Sequence, residues 1–396
     1  MKKKILFVMP YFNCGGVETT LLSLLDKLDY QNYDIDLLLV NDTGAFLHKI
    51  PGKVQTQVLD IPKSEWGVFY GYKNACIRLF RQIKIFSLFK LLIGEKYKLS
   101  ENRRENVEYF EQVKGKFFMY DKQYDLAVDY FGYASFTTFY VAEKVKAKKK
   151  ISWVHSRFST LDAQYLNKYY KKFDKIYAVS KDTKNDFLSC VEIEDNKVEI
   201  FYNLIDYEEI RQLANEKIEY ILKKDSIILV TVGRLEKVKG IDMAVEVARI
   251  LNENNFDFCW YVIGEGTERN NIQNLICKYN LSDKFILLGL KENPYPYMKN
   301  CDIYIQPSRY EGYCTTTNEA RILARPVITT DVYGAKEQFA NGENGLIVDI
   351  DYQCIANAVV YLIENPDIRK LFQSKLSTLN NNTVEQLKKI YRMCNS

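Results

Sequence analysis

The chain has 396 residues, of which 47% are hydrophobic and 27% are charged, and its formal net charge is +4. This composition excludes a disordered chain, and the length exceeds what one ordinary core needs, so we expect two domains. The small net charge gives no reason to expect a nucleic-acid partner, and we expect none.

The first predicted element is a buried strand at residues 5–10. The N-terminus resembles a signal peptide for a few residues, but its apolar run is too short and Asn13, Gly15 and Gly16 follow at once. No run in the chain approaches the roughly 20 apolar residues needed to cross a bilayer. We therefore expect a cytoplasmic protein.

Gly15 and Gly16 open a predicted helix over residues 17–28. Two glycines there let backbone N–H groups approach an anion at the helix N-terminus. A simple tight turn is the alternative interpretation. The pattern is not GxGxxG, and Asp42 after the second strand is too weak an indication of NAD.

A basic and apolar insertion near residues 61–122 interrupts the alternation of strands and helices. Its segment from Lys73 to Lys96 contains six Lys or Arg residues and one acid, Glu95. One interpretation is a surface that rests on an anionic membrane. The other is a pair of helices that closes the first domain and leaves its basic residues solvated.

His155 ends the predicted strand at residues 150–155 and is one of two histidines. At the carboxyl end of a strand it could reach a ligand hydroxyl, although a lone histidine is more often structural. His48 lies in a polar connection and has no evident role. The predicted strands of the first half are residues 5–10, 35–40, 124–131, 150–155 and 175–180.

The second half repeats the alternation after a charged helix that begins near residue 207. We expect two Rossmann-like domains with parallel sheets facing each other over a cleft, at 1–203 and 204–376, with a final helix at 377–396 packing back on the first. The predicted strands of the second half are residues 227–233, 258–264, 284–289, 302–307, 326–330 and 345–349.

A basic loop follows the first strand of the second half. Gly233 and Arg234 come off the strand end, and Lys239 and Gly240 open the next helix. An arginine fork and a lysine point charge on one short loop suit a diphosphate, and they could stabilise it as a leaving group without a metal. The alternative is a basic, solvent-exposed turn.

Two glutamates eight residues apart follow the strand at 302–307. Glu311 lies after the strand and Glu319 in the next predicted helix, where open α/β sheets place their ligand crevices. A retaining glycosidase needs its carboxyl groups about 5 Å apart. Eight helical steps would separate these two by roughly 12 Å along the axis. We interpret them as two grips on the hydroxyl groups of one extended ligand.

The cysteines predict neither a disulfide framework nor a zinc site. There are nine, scattered along the chain with no CxxC pair, and only two histidines could join them. We expect reduced thiols and no metal centre.

These motifs together resemble family 4 of the retaining glycosyltransferases, which have the GT-B fold. The signatures that agree are the Gly15-Gly16 loop, the histidine at His155, GRLxxxKG at 233–240, and E-x7-E from Glu311 to Glu319. The sequences VIGEG at 262–266, which contains Gly264, and NGENGLIV at 341–348 also match habits of the family.

The resemblance implies roles for individual residues. Glu311, with the backbone amides of the residues that follow it, would hold the donor sugar, and Glu319 the nucleotide ribose. Arg234 and Lys239 would grip the diphosphate, and His155 would contact an outer hydroxyl of the sugar. The other donor-binding positions are Gly15, Gly16, Gly233, Gly264, Gly312, Tyr313, Cys314 and Thr315.

The implied activity is transfer of a hexosyl unit, with retention, from a nucleotide diphosphate sugar, with UDP favoured. The acceptor would be a glycan or a lipid-linked saccharide in cell-surface polysaccharide synthesis. The donor diphosphate would take the acceptor's proton, with no general base side chain and no cofactor. Cys314, the polar run at 315–318, Arg321 and Arg325 depart from the family pattern and leave the donor sugar open.

Three other interpretations remain. A sugar-nucleotide epimerase of the same fold would bind the same diphosphate but needs more acid and base groups around the sugar. A catalytically silent partner subunit would keep the fold for binding alone. A dehydrogenase comes last, because its phosphate fingerprint is missing.

Overall fold

A computed structural model describes residues 2–13, 15–65, 69, 103–132, 135–159, 166–218, 226–378 and 383–396. The chain divides into two units. The first consists of Met1–Leu204 together with Val384–Ser396, and the second of Ile205–Thr383. The segment from Lys73 to Lys96 lies outside the described residues, so its two interpretations both stay predictions.

The first unit is built on a parallel sheet, with seven strands in its described part, in the order β3-β2-β1-β4-β5-β6-β7. Its central strands are buried along almost their whole length, as expected for a parallel sheet covered on both faces. The strands are β1 (Lys3–Met9), β2 (Tyr33–Leu39), β3 (Gln55–Val58), β4 (Gln123–Asp129), β5 (Lys146–Val154), β6 (Lys175–Ala178) and β7 (Val198–Ile200).

The helices of the first unit fall between these strands, as crossover connections in a parallel sheet require. In the described residues they are α1 (Gly16–Lys27), α2 (Arg103–Val113), α3 (Phe136–Lys144), α4 (Asn167–Tyr170) and α5 (Lys181–Cys190). Ser180 is the N-cap of α5, because its hydroxyl accepts a hydrogen bond from the amide of Thr183, and this cap sets the start of the helix.

The second unit repeats the topology. Its described residues form a six-stranded parallel sheet in the order β10-β9-β8-β11-β12-β13. The strands are β8 (Ile227–Val232), β9 (Phe258–Ile263), β10 (Phe285–Gly289), β11 (Ile303–Gln306), β12 (Val327–Thr330) and β13 (Leu346–Val348).

Helices cover this second sheet, and the longest have one apolar face. In α7 the buried residues recur every three or four positions, from Ile241 to Leu251. The helices are α6 (Tyr207–Leu213), α7 (Ile241–Glu253), α8 (Arg269–Lys278), α9 (Tyr295–Lys299), α10 (Thr315–Ile322), α11 (Ala335–Gln338), α12 (Tyr352–Glu364) and α13 (Pro366–Ser377).

The last helix, α14 (Leu387–Asn395), belongs to the first unit. The ring of Tyr391 stacks on that of Tyr33 at 4.9 Å, and its hydroxyl accepts a hydrogen bond of 2.9 Å from the amide of Asp29. Lys3 Nζ donates to the carbonyl of Cys394 at 3.0 Å. These contacts fix α14 beside the amino ends of β1 and β2.

The fold agrees with the predicted strands and adds two. Each of the eleven apolar runs contains a strand, but β3 and β7 were missed. Both are short edge strands, and neither has the apolar run of a central strand. Within the described part of the chain, no helix has both the length and the apolar character that crossing a bilayer requires.

Candidate functional site

The strand order places the loops after β8 and β11 side by side. These two strands are neighbours in the sheet, and the connections leave them in opposite directions. Ligands of open α/β sheets bind outside the carboxyl ends of the strands at such a switch point. The predicted residues Gly233, Arg234 and Lys239 follow β8, and Glu311 follows β11.

Lys239 ends a single 3-10 turn whose shape depends on Gly240. Gly240 has φ of +66°, and a Cβ there would lie 1.9 Å from the carbonyl oxygen of Pro307. Only glycine permits so close an approach of the two loops. This contact between Gly240 and Pro307 places Lys239 beside the residues that follow β11.

Lys239 and Glu311 form an ion pair within the second unit. Lys239 Nζ donates to Glu311 Oε1 at 2.7 Å, and the two side chains are 20% and 9% exposed. Burial disfavours the charged ammonium, but the carboxylate of Glu311 outweighs it and raises the pKa of Lys239. Lys239 is therefore a fixed cation at the sheet edge.

Arg309 joins the same two loops on the outer side. Its guanidinium makes two bonds to the carboxylate of Asp242, at 2.6 and 2.7 Å, and a third to the carbonyl of Lys237 at 2.9 Å. Its own amide donates to the carbonyl of Val238 at 2.8 Å. A bidentate arginine fixes geometry as well as charge, so the 3-10 turn before Lys239 is held from both ends.

Arg234 is exposed beside Lys239. Among the described residues its guanidinium makes no ion pair or hydrogen bond. Its positive charge repels that of Lys239 and lowers the pKa of the Lys239 ammonium. Gly233 before it has space for a side chain, since a Cβ would meet Gln306 and Lys239 only at 3.8 Å. The local backbone does not require this glycine.

The loop that follows Glu311 leads directly into the N-terminus of α10. Cys314 is its N-cap residue, and no side chain caps the helix there. The Cys314 carbonyl accepts hydrogen bonds from Thr317 Oγ1 and Gln338 Nε2, both at 3.0 Å, which fix the backbone between Gly312 and Thr315. Burial raises the pKa of the Cys314 thiol to about 11, so the thiol is neutral.

Glu319 lies inside α10 and contacts different groups from Glu311. The helix begins at Thr315, so the path between the two glutamates is only partly helical, and eight helical steps do not describe it. Glu319 is 8% exposed, and the Tyr295 hydroxyl lies 3.5 Å from its carboxylate. Burial raises the pKa of Glu319 to about 7, against an opposing effect of that hydroxyl.

Gly264 is required by the fold. Its φ is +145°, and a Cβ would lie 1.9 Å from the carbonyl oxygen of Gly233. Its amide also donates to the carbonyl of Gly289 at 2.9 Å. Gly264 therefore allows the ends of β8 and β9 to approach each other.

In the first unit, His155 follows β5 at the corresponding edge of the sheet. Its Nε2 lies 2.6 Å from the carbonyl oxygen of Tyr130, so Nε2 carries the hydrogen and Nδ1 keeps a lone pair. Burial lowers the pKa of His155 to about 4. The ring is therefore neutral at physiological pH and has one acceptor available.

Gly15 and Gly16 lie at the N-terminus of α1, also in the first unit. A Cβ on Gly15 would lie 2.5 Å from an Oε atom of Glu18, whose side chain is buried. The helix thus has its own carboxylate at its positive end, an arrangement that stabilises helices. The glycine is explained locally by the position of Glu18.

Comparison with known proteins supports this description. Residues 214–376 match the family model of glycosyl transferases group 1. That range contains both loops of the ion pair and the whole of α10. The second unit is thus similar to group 1 glycosyl transferases over most of its length.

Curated glycosyltransferases resemble the chain over part of its length. One is the N-acetylgalactosamine-N,N'-diacetylbacillosaminyl-diphospho-undecaprenol 4-alpha-N-acetylgalactosaminyltransferase of Campylobacter jejuni, 32% identical over 58% of this chain and 61% of the relative. Another is the capsular polysaccharide biosynthesis glycosyltransferase CapM of Staphylococcus aureus, 28% identical over 49% of this chain and 53% of CapM. The chain thus spans between half and two thirds of these relatives.

A solved structure shares the fold along the whole chain. It is a variant of TarM of S. aureus, crystallised with Fondaparinux, alpha-GlcNAc-glycerol and UDP. The structures agree with a TM-score of 0.70 at 15% identity, and the match covers all of both chains. The predicted GT-B fold, with two Rossmann-like α/β domains, is confirmed.

In the second unit, the structure brings Lys239 and Glu311 into contact and puts Arg234 and Gly233 beside them. Glu319 lies further along α10, and Gly264 supports the strand ends. His155, Gly15 and Gly16 belong to the first unit. The ligand-binding roles of all these residues stay predictions.

The sequence interpretation missed the residues that hold Glu311 and Lys239 in place. Ser308, Gln306 and Arg309 were not singled out, although polar residues at 306 and 308 in an otherwise apolar strand were a visible signal. Among the residues that the structure describes, no group of three or more His, Cys, Asp or Glu side chains could hold a metal ion.

Proposed function

We propose that the protein transfers a hexosyl unit from a UDP-sugar to a glycan or lipid-linked saccharide, with retention at the anomeric carbon. The observation that carries this proposal is the Lys239–Glu311 ion pair at the switch point of the second sheet. It joins a fixed cation to a fixed acceptor of hydroxyl groups inside the part of the chain that is similar to group 1 glycosyl transferases.

The diphosphate of the donor would bind Arg234 and Lys239. Glu311 compensates much of the charge of Lys239, whereas Arg234 has no ion pair in the described residues. An anion beside both would satisfy Arg234 and relieve the repulsion between the two cations. The same two charges would stabilise the diphosphate as it leaves, so we propose a reaction without a resident metal.

The sugar and the nucleoside would bind further along the same loop. The carboxylate of Glu311 can accept hydrogen bonds from sugar hydroxyls. The N-terminus of α10, where the Cys314 side chain makes no capping hydrogen bond, is the positive end of a helix beside them. We assign the ribose to Glu319. His155 in the first unit is proposed to accept a hydrogen bond from a sugar hydroxyl through Nδ1.

No side chain is assigned as a general base. In the proposed reaction the acceptor hydroxyl attacks the anomeric carbon on the face from which the diphosphate leaves, and a phosphate oxygen takes its proton. Arg234 and Lys239 stabilise the charge that develops on the diphosphate. The protein therefore contributes orientation and electrostatic stabilisation.

The acceptor class rests on the relatives. The name of the C. jejuni relative specifies a diphospho-undecaprenol substrate, and CapM is named for capsular polysaccharide biosynthesis. We propose a saccharide on a lipid carrier and work at the cytoplasmic side of a membrane. Contact of the segment from Lys73 to Lys96 with anionic lipid is part of this proposal.

Transfer assays with variants of the ion pair test the proposal. The whole chain is incubated with UDP-glucose, UDP-galactose and their N-acetylamino counterparts and a lipid-linked saccharide, and products are identified by mass spectrometry and NMR. Lys239→Ala and Glu311→Gln should each lower kcat/KM about 10²- to 10³-fold, the scale for removing one group that stabilises developing charge. Lys237→Ala, an exposed lysine of the same turn, is the matched control.

Three results would contradict the proposal. Near-normal transfer by Lys239→Ala would remove the diphosphate role, and an inverted anomeric linkage would remove retention. Formation of a new nucleotide sugar without any acceptor would favour an epimerase. Tight UDP binding with no turnover on any acceptor would favour a silent partner subunit.

A further inference from the structure

Polar side chains alternate along β11 and the residue pair after it. Tyr304, Gln306 and Ser308 are two positions apart, so they share one face of an extended chain. All three are at most 1% exposed, and Ile303 and Ile305, which alternate with Tyr304 and Gln306, are buried in the apolar core. Burying such groups costs free energy unless every one is hydrogen-bonded.

Each of these groups is hydrogen-bonded to the next. We call Tyr304, Gln306, Ser308 and Thr316 the polar ladder. At one end, Val232 N donates to the Tyr304 hydroxyl at 3.3 Å, and that hydroxyl donates to Gln306 Oε1 at 2.9 Å. Gln306 Oε1 also accepts a hydrogen bond from Thr316 Oγ1 at 3.1 Å. At the other end, Gln306 Nε2 donates to Ser308 Oγ at 2.9 Å, and Ser308 Oγ donates to Glu311 Oε1 at 2.7 Å.

The contacts set the direction of the bonds that reach Glu311. Gln306 Oε1 lies within hydrogen-bond distance of the hydroxyls of Tyr304 and Thr316, and Gln306 Nε2 donates to Ser308. The Tyr304 hydroxyl also lies 3.4 Å from the carbonyl oxygen of Val232. The Ser308 oxygen accepts that bond, which leaves its single hydrogen for Glu311. The polar ladder therefore ends in one hydrogen bond, from the Ser308 hydroxyl to Oε1 of Glu311.

That oxygen, Oε1, also receives Lys239 Nζ at 2.7 Å. Two donors on one oxygen fix the rotation of the carboxylate. No hydrogen bond from a described residue ends on Oε2 of Glu311. A carboxylate oxygen can accept two hydrogen bonds, so Oε2 keeps its capacity for a ligand hydroxyl.

We propose that Gln306 and Ser308 are positioning residues, which orient Glu311 so that Oε2 stays available to the donor sugar. This inference rests on the proposed function. Neither residue touches the donor in this account, and both act through Glu311 and Lys239. Groups that orient a functional side chain in this way commonly change activity 10- to 100-fold when removed.

Two substitutions at Ser308 separate positioning from simple packing. Ser308→Ala removes the hydroxyl but leaves the volume almost unchanged, and kcat/KM for transfer should fall at least tenfold. Ser308→Thr keeps the hydroxyl and adds a methyl group to a buried site, so it should lower thermal stability more while keeping more activity. A purely structural role would make activity follow stability and reverse this order.

A chemical readout tests the inference without any transfer assay. The rate at which acetic anhydride modifies the Lys239 amine, followed by mass spectrometry, should rise several-fold in Ser308→Ala and in Gln306→Met, because Glu311 is no longer held against it. Thr329→Val is the control, since Thr329 is buried on the neighbouring strand β12. Among the described residues its hydroxyl bonds only to the carbonyl of Thr330, at 3.3 Å.

The outcomes separate the two proposals. An inactive wild-type protein whose Lys239 reactivity still rises in Ser308→Ala would count against the proposed function and support the ladder's effect on the ion pair. Unchanged Lys239 reactivity in both variants would overturn the inference. Equal activity losses in Ser308→Ala and Thr329→Val would also overturn it.

Discussion

At the scale of single residues, the site consists of charges that the protein has arranged before a ligand binds. Lys239 is held by Glu311, and Glu311 is held by Ser308. If the proposed function holds, a donor would meet groups whose orientation costs little to establish, which is the basis of electrostatic preorganisation. Arg234 differs, because it is exposed and in this proposal would be ordered by the ligand.

Glu319 should make stability depend on pH. Its pKa is about 7 in the folded protein, above its ordinary value of 4.5, so the folded state binds more protons between these two pH values. This contribution is complete below pH 4.5 and is lost as the pH rises through 7. Urea unfolding from pH 4.5 to 8 should therefore show a decline that Glu319→Gln lacks.

Glu343→Gln is the control for that experiment, because the side chain of Glu343 is 69% exposed. It should keep the pH profile of the wild-type protein. If Glu319→Gln and the wild-type protein have parallel profiles across this range, Glu319 is ionised throughout and its raised pKa is wrong.

The sequence could predict which residues lie at this site but not how they contact one another. The spacing of Glu311 and Glu319 indicated a loop and a helix, as found. The ion pair could not be predicted, because it joins residues 72 positions apart through a glycine contact between two loops. Only the folded chain brings these two loops together.

At the scale of elements, hydrophobic runs predicted the central strands of both sheets. The edge strands β3 and β7 were not predicted, because an edge strand needs no continuous apolar run. The charged helix predicted to begin near residue 207 is confirmed as α6, which ends at Leu213. Element ends depend on tertiary contacts that local composition does not specify.

Substitution by alanine should have different effects on stability at two glycines that lie at strand ends. Gly264→Ala forces a side chain against a carbonyl oxygen at positive φ, so it should cost more than about 2 kcal/mol of stability. Gly233→Ala meets nothing closer than 3.8 Å and should leave stability nearly unchanged. We expect Gly233→Ala instead to weaken UDP binding at least tenfold, because its methyl group would occupy space beside Lys239.

Urea unfolding and isothermal titration with UDP measure both effects. Wild-type UDP affinity in a stable Gly233→Ala protein would show that the nucleotide does not approach this backbone. A fully stable Gly264→Ala protein would contradict the steric explanation for Gly264.

At the scale of the whole molecule, the chain begins in the first unit, forms the second and returns to the first with α14. The two sheets repeat one topology, since each has its switch point between its first and fourth strands. The alternation of elements predicted this duplication, whereas the contacts of α14 depend on particular side chains such as Tyr391.

Replacing Tyr391 should destabilise the first unit alone. Tyr391→Ala removes the ring stacked on Tyr33 and the hydroxyl bonded to Asp29, which together should contribute about 2 kcal/mol. Hydrogen exchange followed by mass spectrometry should show faster exchange in β1 and β2. The strands of the second unit should keep their protection.

Lys388→Ala is the matched control on the same helix, because Lys388 is 69% exposed. It should leave exchange in β1 and β2 as in the wild-type protein. Loss of protection throughout both units in Tyr391→Ala would mean that the units do not unfold separately.

The polar ladder also has a consequence for protein engineering. Natural proteins often keep groups that serve activity at the expense of robustness. Automated redesign toward thermostability would tend to replace Gln306 and Ser308 with aliphatic residues, because both are polar and buried at the end of a strand that contains buried isoleucines. If the proposed positioning role is correct, such a sequence would lose turnover, so these two positions should be kept fixed in any stabilised variant.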